Sequence, residues 1–310
     1  MRIFQKVGAS MKSGILAVVA ACVIWGLSSI YYKQLSHVPS DEVLAHRTVW
    51  SLVFFAVVLA VQGRIGTVRA AFLPDNRWKV VIAALMISIN WFLFIWSISV
   101  GRATEASLGY YIFPLVAVVL GVIVFKERMS RMQIAAVMIA ALAVLILSSQ
   151  LGHLPWISLT LALTFGLYGV TKKRLELGPV VSVTAEVVML VPFAIVWLVY
   201  LVSTGSSHFT QSAGTTILLV LSGPLTATPL ILFSYASKRV ALGTMGIIQY
   251  LNPTLQFLVA TLLFREPFGS GQFMAFVLIW IALAVFTWSG LRQEKARRKA
   301  SAAASAPSQI

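Results

Sequence analysis

Cysteine, acidic side chains and charge of any kind are scarce in this 310-residue chain. The single cysteine, Cys22, sits in an apolar run, so neither a disulfide framework nor a cysteine metal cluster can be built. Asp and Glu number 9 against 24 Lys and Arg, and charged residues make up 11% of the chain, less than half the ~25% usual in soluble domains. Burial saturates with size, so a soluble core of this length could not hide a composition that is 59% hydrophobic. Soluble enzymes, disordered scaffolds and disulfide-stapled secreted modules are excluded. A pI near 10.4 would fit a nucleic-acid partner, but the basic residues are scattered between long apolar runs, so no nucleic acid is expected. With a mean hydropathy of +0.90, the chain reads as an integral membrane protein partnered by the lipid bilayer.

A helix crossing ~30 Å of hydrocarbon needs about 20 mostly apolar residues. Charges punctuate the sequence at that interval and predict ten spans: 13–32, 42–62, 78–100, 104–125, 132–149, 154–171, 179–201, 214–237, 242–264 and 271–291. A β-barrel would instead show short alternating segments, so the expected fold is all-α and membrane-integral. Arg2, Lys6 and Lys12 before the first run imitate a secretory signal. That run exceeds a signal core of about 7–15 residues and further spans follow, so it reads as a retained first span.

Basic residues set the orientation. With a cytoplasmic N-terminus, only Lys33, Arg102 and Arg265 face outward and Arg47 lies within a span; the other twenty of the 24 fall inside. Both termini are therefore expected in the cytoplasm, and nearly every basic residue, Lys172 and Lys173 included, reads as a topology anchor. Residues 1–12 form a cytoplasmic segment and 292–310 a disordered cytoplasmic tail in this reading.

The chain also contains itself twice. A shift of 140 pairs Gly26 with Gly166, Lys33 with Lys173, Pro39 with Pro179 and Ala45 with Ala185. A shift of 139 then pairs Tyr111 with Tyr250, Pro114 with Pro253, Glu127 with Glu266 and Gln133 with Gln272. Matched Pro, Gly, Glu and Gln at fixed offset point to duplication of a five-span unit, 13–149 and 154–291. An odd number of spans forces the second copy in from the opposite side, giving inverted repeats. Such halves suit alternating access around a site near the midplane.

The repeat ending in Phe-Lys/Arg-Glu after a Pro-bearing span resembles the EamA unit of the drug/metabolite transporter superfamily. Residues 41–51 (DEVLAHRTVWS), 90–96 (NWFLFIW), 105–115 (EASLGYYIFPL) and 249–254 (QYLNPT) carry the likeness and narrow it to the RarD subfamily. The resemblance implies a ten-helix inner-membrane permease, an exporter with a central cavity between its halves. The subfamily is labelled by chloramphenicol sensitivity, which does not define the cargo.

Ionisable residues within spans are costly and face a protein interior or a water-filled cavity. His46 and Arg47 follow Pro39 by seven and eight residues, and Glu186 follows Pro179 by seven. At 1.5 Å per residue both positions lie roughly 10 Å deep, from opposite faces. A direct Arg47–Glu186 bridge is not expected on those depths unless a helix breaks. Nothing basic lies within a turn of Glu186 on its own helix, which makes it an isolated carboxyl and a candidate proton acceptor; its alternative role is a buried group at a helix junction. Arg47 is a gate or anion anchor, or else a residue that snorkels or clamps a neighbour. His46 without a partner is poor metal evidence, and no cofactor or metal is called for. Asn90, Gln249 and Asn252 are candidate pathway groups or interhelical hydrogen bonders, with Asn252 placed to satisfy a carbonyl freed at Pro253. Trp25, Tyr110, Tyr111 and Tyr235 could line an apolar pocket with a polar edge. The run 224–229, with Pro at both ends, should kink or loosen the eighth span.

The function expected is a secondary transporter of a small metabolite, amino acid or drug-like compound, with protons and a second copy of the chain as further candidate partners. A phosphate-ester carrier ranks lower, since phosphate recognition wants clustered cations and the spans offer only Arg47. A membrane enzyme is the alternative from another class, but no HExxH, Walker or GxSxG constellation is present.

Overall fold

The computed structural model describes residues 2–126, 129–151, 153–237, 239–240 and 248–304. Among them every regular element is helical, as hydrocarbon demands of backbone amides that have no water to bond. In chain order these are α1 (Arg2–Gln34), α2 (Ser40–Val61), a 3-10 segment (Ile65–Phe72), α3 (Pro74–Ser99), α4 (Ala103–Phe125) and α5 (Arg131–Leu151). There follow α6 (Trp156–Lys173), α7 (Pro179–Ser203), α8 (Ala213–Ser237), α9 (Leu251–Leu258), extended by a π turn (Val259–Leu263), and α10 (Ser270–Ala304). Eight of them, all but α6 and α9, are long and apolar enough to cross a membrane. The two short ones have visible reasons. Helix α6 ends in Lys172 and Lys173, and the first part of the expected ninth span, 242–247, lies outside the described residues.

The helices pack in exchanged partnerships. Helix α1 lies against α8 and α9, while α6 lies against α3 and α4; α2 packs on α7 and α8, α3 on α7, and α5 on α10. Small residues make the close crossings, as they do where van der Waals contact drives helix association in lipid. A Cβ at Gly109 would sit 2.8 Å from the Ser158 carbonyl oxygen, and one at Gly223 would sit 2.4 Å from the Trp50 carbonyl carbon. Those two contacts set α4 on α6 and α8 on α2.

The Phe-Lys/Arg-Glu signature has a backbone reason. Lys126 and Arg265 both adopt left-handed conformations, with φ of 55° and 53°, ending their helices. Beyond Arg265, Glu266 takes the amides of Ala103 and Thr104 and the Thr104 hydroxyl, each at 2.7 Å, and so caps α4. Its sequence partner Glu127 lies outside the described residues.

Helix α8 is continuous through Pro224 and Pro229 and packs against α1 and α2. One local expectation turns out differently. Helix α10 continues to Ala304, past the boundary expected for a disordered tail, because the Ala-, Lys- and Arg-rich segment is made of good helix formers. Residues 305–310 lie outside the description.

Candidate functional site

Two clusters of ionisable side chains are buried between the helices. The first centres on Arg47 of α2, which is 7% exposed. Its guanidinium lies 4.1 Å from the Trp91 ring centre on α3 and 5.6 Å from that of Tyr32 on α1. The phenols of Tyr31 and Tyr110 stand within electrostatic range. Among the described residues no carboxylate pairs with Arg47, and its Nε has no hydrogen-bond partner. Cation–π contacts return about 0.5–2 kcal/mol, against a burial penalty of several kcal/mol for an ion. The aromatic contacts alone do not balance the charge.

Further buried polar atoms around α1 and α2 lack partners: Ser29 Oγ, Ser51 Oγ, His46 Nε2 and Trp50 Nε1. Ser51 stands one helical turn from Arg47 and Ser29 one turn from Tyr32, so both lie near the guanidinium's face of the bundle. On the adjoining side Asn90 of α3 is fully used. Its Nδ2 donates to the Leu161 carbonyl at 3.0 Å and to Thr164 Oγ1 at 3.1 Å, and its Oδ1 accepts from Tyr110 at 2.9 Å. Asn90 and Tyr110 thus form one clamp that joins α3, α4 and α6 beside Arg47.

The connection from α7 to α8 folds back over α2. Phe209 stacks on His46 at 4.6 Å and lies 6.4 Å from Trp50. Glu42, fully buried, accepts from Ser207 Oγ at 3.0 Å and the His208 amide at 2.7 Å, and its second oxygen meets His208 Nδ1 at 2.7 Å. This latch was not foreseen. Its one sequence signal was a carboxylate, Glu42, at the start of a span.

The second cluster corrects the expectation of an isolated carboxyl at Glu186. Lys172 of α6, read from sequence as a topology anchor, places Nζ 2.6 Å from Glu186 Oε1. Ser182 donates to the same oxygen at 3.0 Å, Tyr168 donates to Oε2 at 3.0 Å, and Lys172 also bonds Ser182. Glu186's own helix holds no basic partner within a turn; the partner comes from the preceding helix, α6. This pair is charge-balanced and hydrogen-bonded, as a buried pair must be to persist. Arg47 and Glu186 do not meet.

The other candidates scatter. Tyr111, rotated about 100° from Tyr110, points the other way, bonding Thr254 Oγ1 at 2.6 Å and packing on Phe276 and Trp280. Tyr235 is 41% exposed, with its hydroxyl 3.2 Å from Ser13 Oγ and its ring under Arg239 at 3.6 Å. Trp25 is half-buried beside Phe233, with ring centres 5.9 Å apart, and Gln249 is half-buried. Asn252 does not bond a carbonyl freed at Pro253; its Oδ1 accepts from Gln256 at 2.9 Å, one turn along.

A family model described as the EamA-like transporter family matches residues 12–149. The uncharacterized transporter YojE of Bacillus subtilis is 40% identical over 298 residues, covering 94% of this chain and 98% of that protein. Protein RarD of Escherichia coli is 35% identical over 290 residues (93% and 98% covered), and Protein RarD of Streptomyces exfoliatus 39% over 298 (96% and 94%). A solved crystal structure with 17% identity aligns at a TM-score of 0.59, covering 91% of this chain and 99% of that one, a likeness of fold.

Proposed function

The chain belongs to the EamA transporter family of the drug/metabolite superfamily, RarD type, and from that premise we propose that it works as a secondary transporter by alternating access. Its cargo in this reading is a small metabolite, amino acid or drug-like compound, moved outward across the inner membrane, with both termini cytoplasmic. The ten spans act as two inverted five-helix halves. What carries the reading is the exchanged packing: α1 with α8 and α9, against α6 with α3 and α4. Under the shifts of 140 and 139, α6 is the counterpart of α1, and α8 and α9 are those of α3 and α4. The left-handed Lys126 and Arg265, paired by the same shift, support it further, as does the family match ending at residue 149. Two halves that exchange partners in this way can swap conformations, opening a shared hollow to one side and then the other.

The Glu186–Lys172 pair is where a proton would act. Protonating Glu186 would neutralise one member and leave Lys172 to seek water, loosening α6 from α7. Glu186→Gln in proteoliposomes is expected to abolish proton-linked flux, and unchanged coupling removes the proton role. The transporter reading itself is tested by comparing cells with and without the chain. Loss of the chain should raise the intracellular level of at least one small metabolite and lower it in the medium, and identical profiles refute export.

A further inference from the structure

Resting on the transporter reading, the arrangement around Arg47 narrows the cargo. We infer that the transported compound carries a carboxylate on an apolar or aromatic body, and that Arg47 is the group that holds it. Arg47 is more than nine-tenths buried, and among the described residues it has neither an ion pair nor a partner for Nε. The two buried carboxylates within α2 and α7 are both engaged elsewhere, Glu186 by Lys172 at the end of α6 and Glu42 by Ser207 and His208, so neither is spare for Arg47. The nearest side chains are instead aromatic: Trp91 and Tyr32 against the guanidinium, with Tyr31 and Tyr110 close by. Tyr110 is held in place through Asn90, which locks one wall.

The planar guanidinium offers a fork that matches a carboxylate edge, and its orphan Nε is one tine of that fork. Ser29 and Ser51, whose hydroxyls also lack partners, provide further bonds to a polar head. The aromatic walls suit a flat or aliphatic body. A phosphate dianion would ask for a second cation, and none stands beside Arg47 among the described residues. The site so composed takes an organic monocarboxylate.

The test uses the full-length protein in phosphatidylcholine nanodiscs and acid–amide pairs with a common body: phenylacetate and phenylacetamide, 3-phenylpropionate and 3-phenylpropanamide, indole-3-acetate and indole-3-acetamide. Titration calorimetry should show at least one acid binding about 10- to 100-fold tighter than its amide, the range of a charge-assisted hydrogen bond. Arg47→Gln should erase that preference, and Arg47→Lys should keep part of it. No acid preference in any pair, including no binding up to the solubility limit, overturns the inference. So does an acid preference that survives Arg47→Gln. Should Arg47→Gln fail to fold, the wild-type comparison and Arg47→Lys still decide. The export comparison does not depend on the charge of Arg47. A cargo found there without an acidic group sinks the carboxylate inference and leaves the transporter standing; acid binding with no export does the reverse.

Discussion

Replacing Gly223 by alanine adds one methyl group where α8 crosses α2. An ideal Cβ there lies 2.4 Å from the Trp50 carbonyl carbon, 2.5 Å from its oxygen and 2.7 Å from its Cβ. Ordinary contact begins nearer about 3.5 Å, so the helices must separate by roughly 1 Å. The obstacle is backbone, which cannot rotate away as a side-chain tip would. Overpacking of this kind costs about 1–3 kcal/mol, against a helix-propensity gain of about 0.5–1 kcal/mol for Gly to Ala. The net expectation for Gly223→Ala is a loss of roughly 1–2 kcal/mol from these two terms. Gly169 in α6 provides the control, since a Cβ there meets nothing within 4 Å. Gly169→Ala should keep the propensity gain alone. Thermal melting of both variants in nanodiscs measures the contrast, with Gly223→Ala below wild type and Gly169→Ala at or above it. If Gly223→Ala melts as high as Gly169→Ala, the α2–α8 crossing is not this close, and the exchanged packing loses one of its contacts.

Other expectations are shorter to state. Glu266→Ala strips the acceptor from three donors at the start of α4 and should cost about 2–4 kcal/mol in unfolding, as unsatisfied buried donors do; Glu266→Gln, keeping one oxygen, should fall between. Lys172→Met and Glu186→Gln should each destabilise by about 3–5 kcal/mol by orphaning a buried charge or its partner, while the double variant recovers most of that loss. Additive single effects in that cycle would show that the 2.6 Å contact carries no coupling.

Much of the fold is legible because hydrocarbon makes a severe demand: about 20 apolar residues per crossing and no unpaired backbone. That is why the described helices follow the expected spans closely, the short sixth span, 154–171, becoming the short α6. The site was less legible. Arg47 and Glu186 were visible as charges within apolar runs, since such charges are rare. Lys172 was not, because at the edge of a span a lysine that anchors topology and one that turns inward have the same sequence appearance. Tyr110 and Tyr111 were indistinguishable on paper, although one closes a wall beside Arg47 and its neighbour packs toward α10. The latch of Glu42 on Ser207 and His208 joins residues some 165 positions apart, beyond any local pattern.

Composition and spacing by themselves determined that this chain is an all-helical, multi-pass membrane protein, and they placed most of its described helices to within a few residues. Those properties follow from transfer free energy and local geometry, which are summed along the chain. Which charge is answered and which is left open was decided only in three dimensions. Neutralising a buried ion requires an opposite group within a few ångströms, and the packing of α6 on its neighbours gives that group to Glu186 and leaves Arg47 facing aromatic rings.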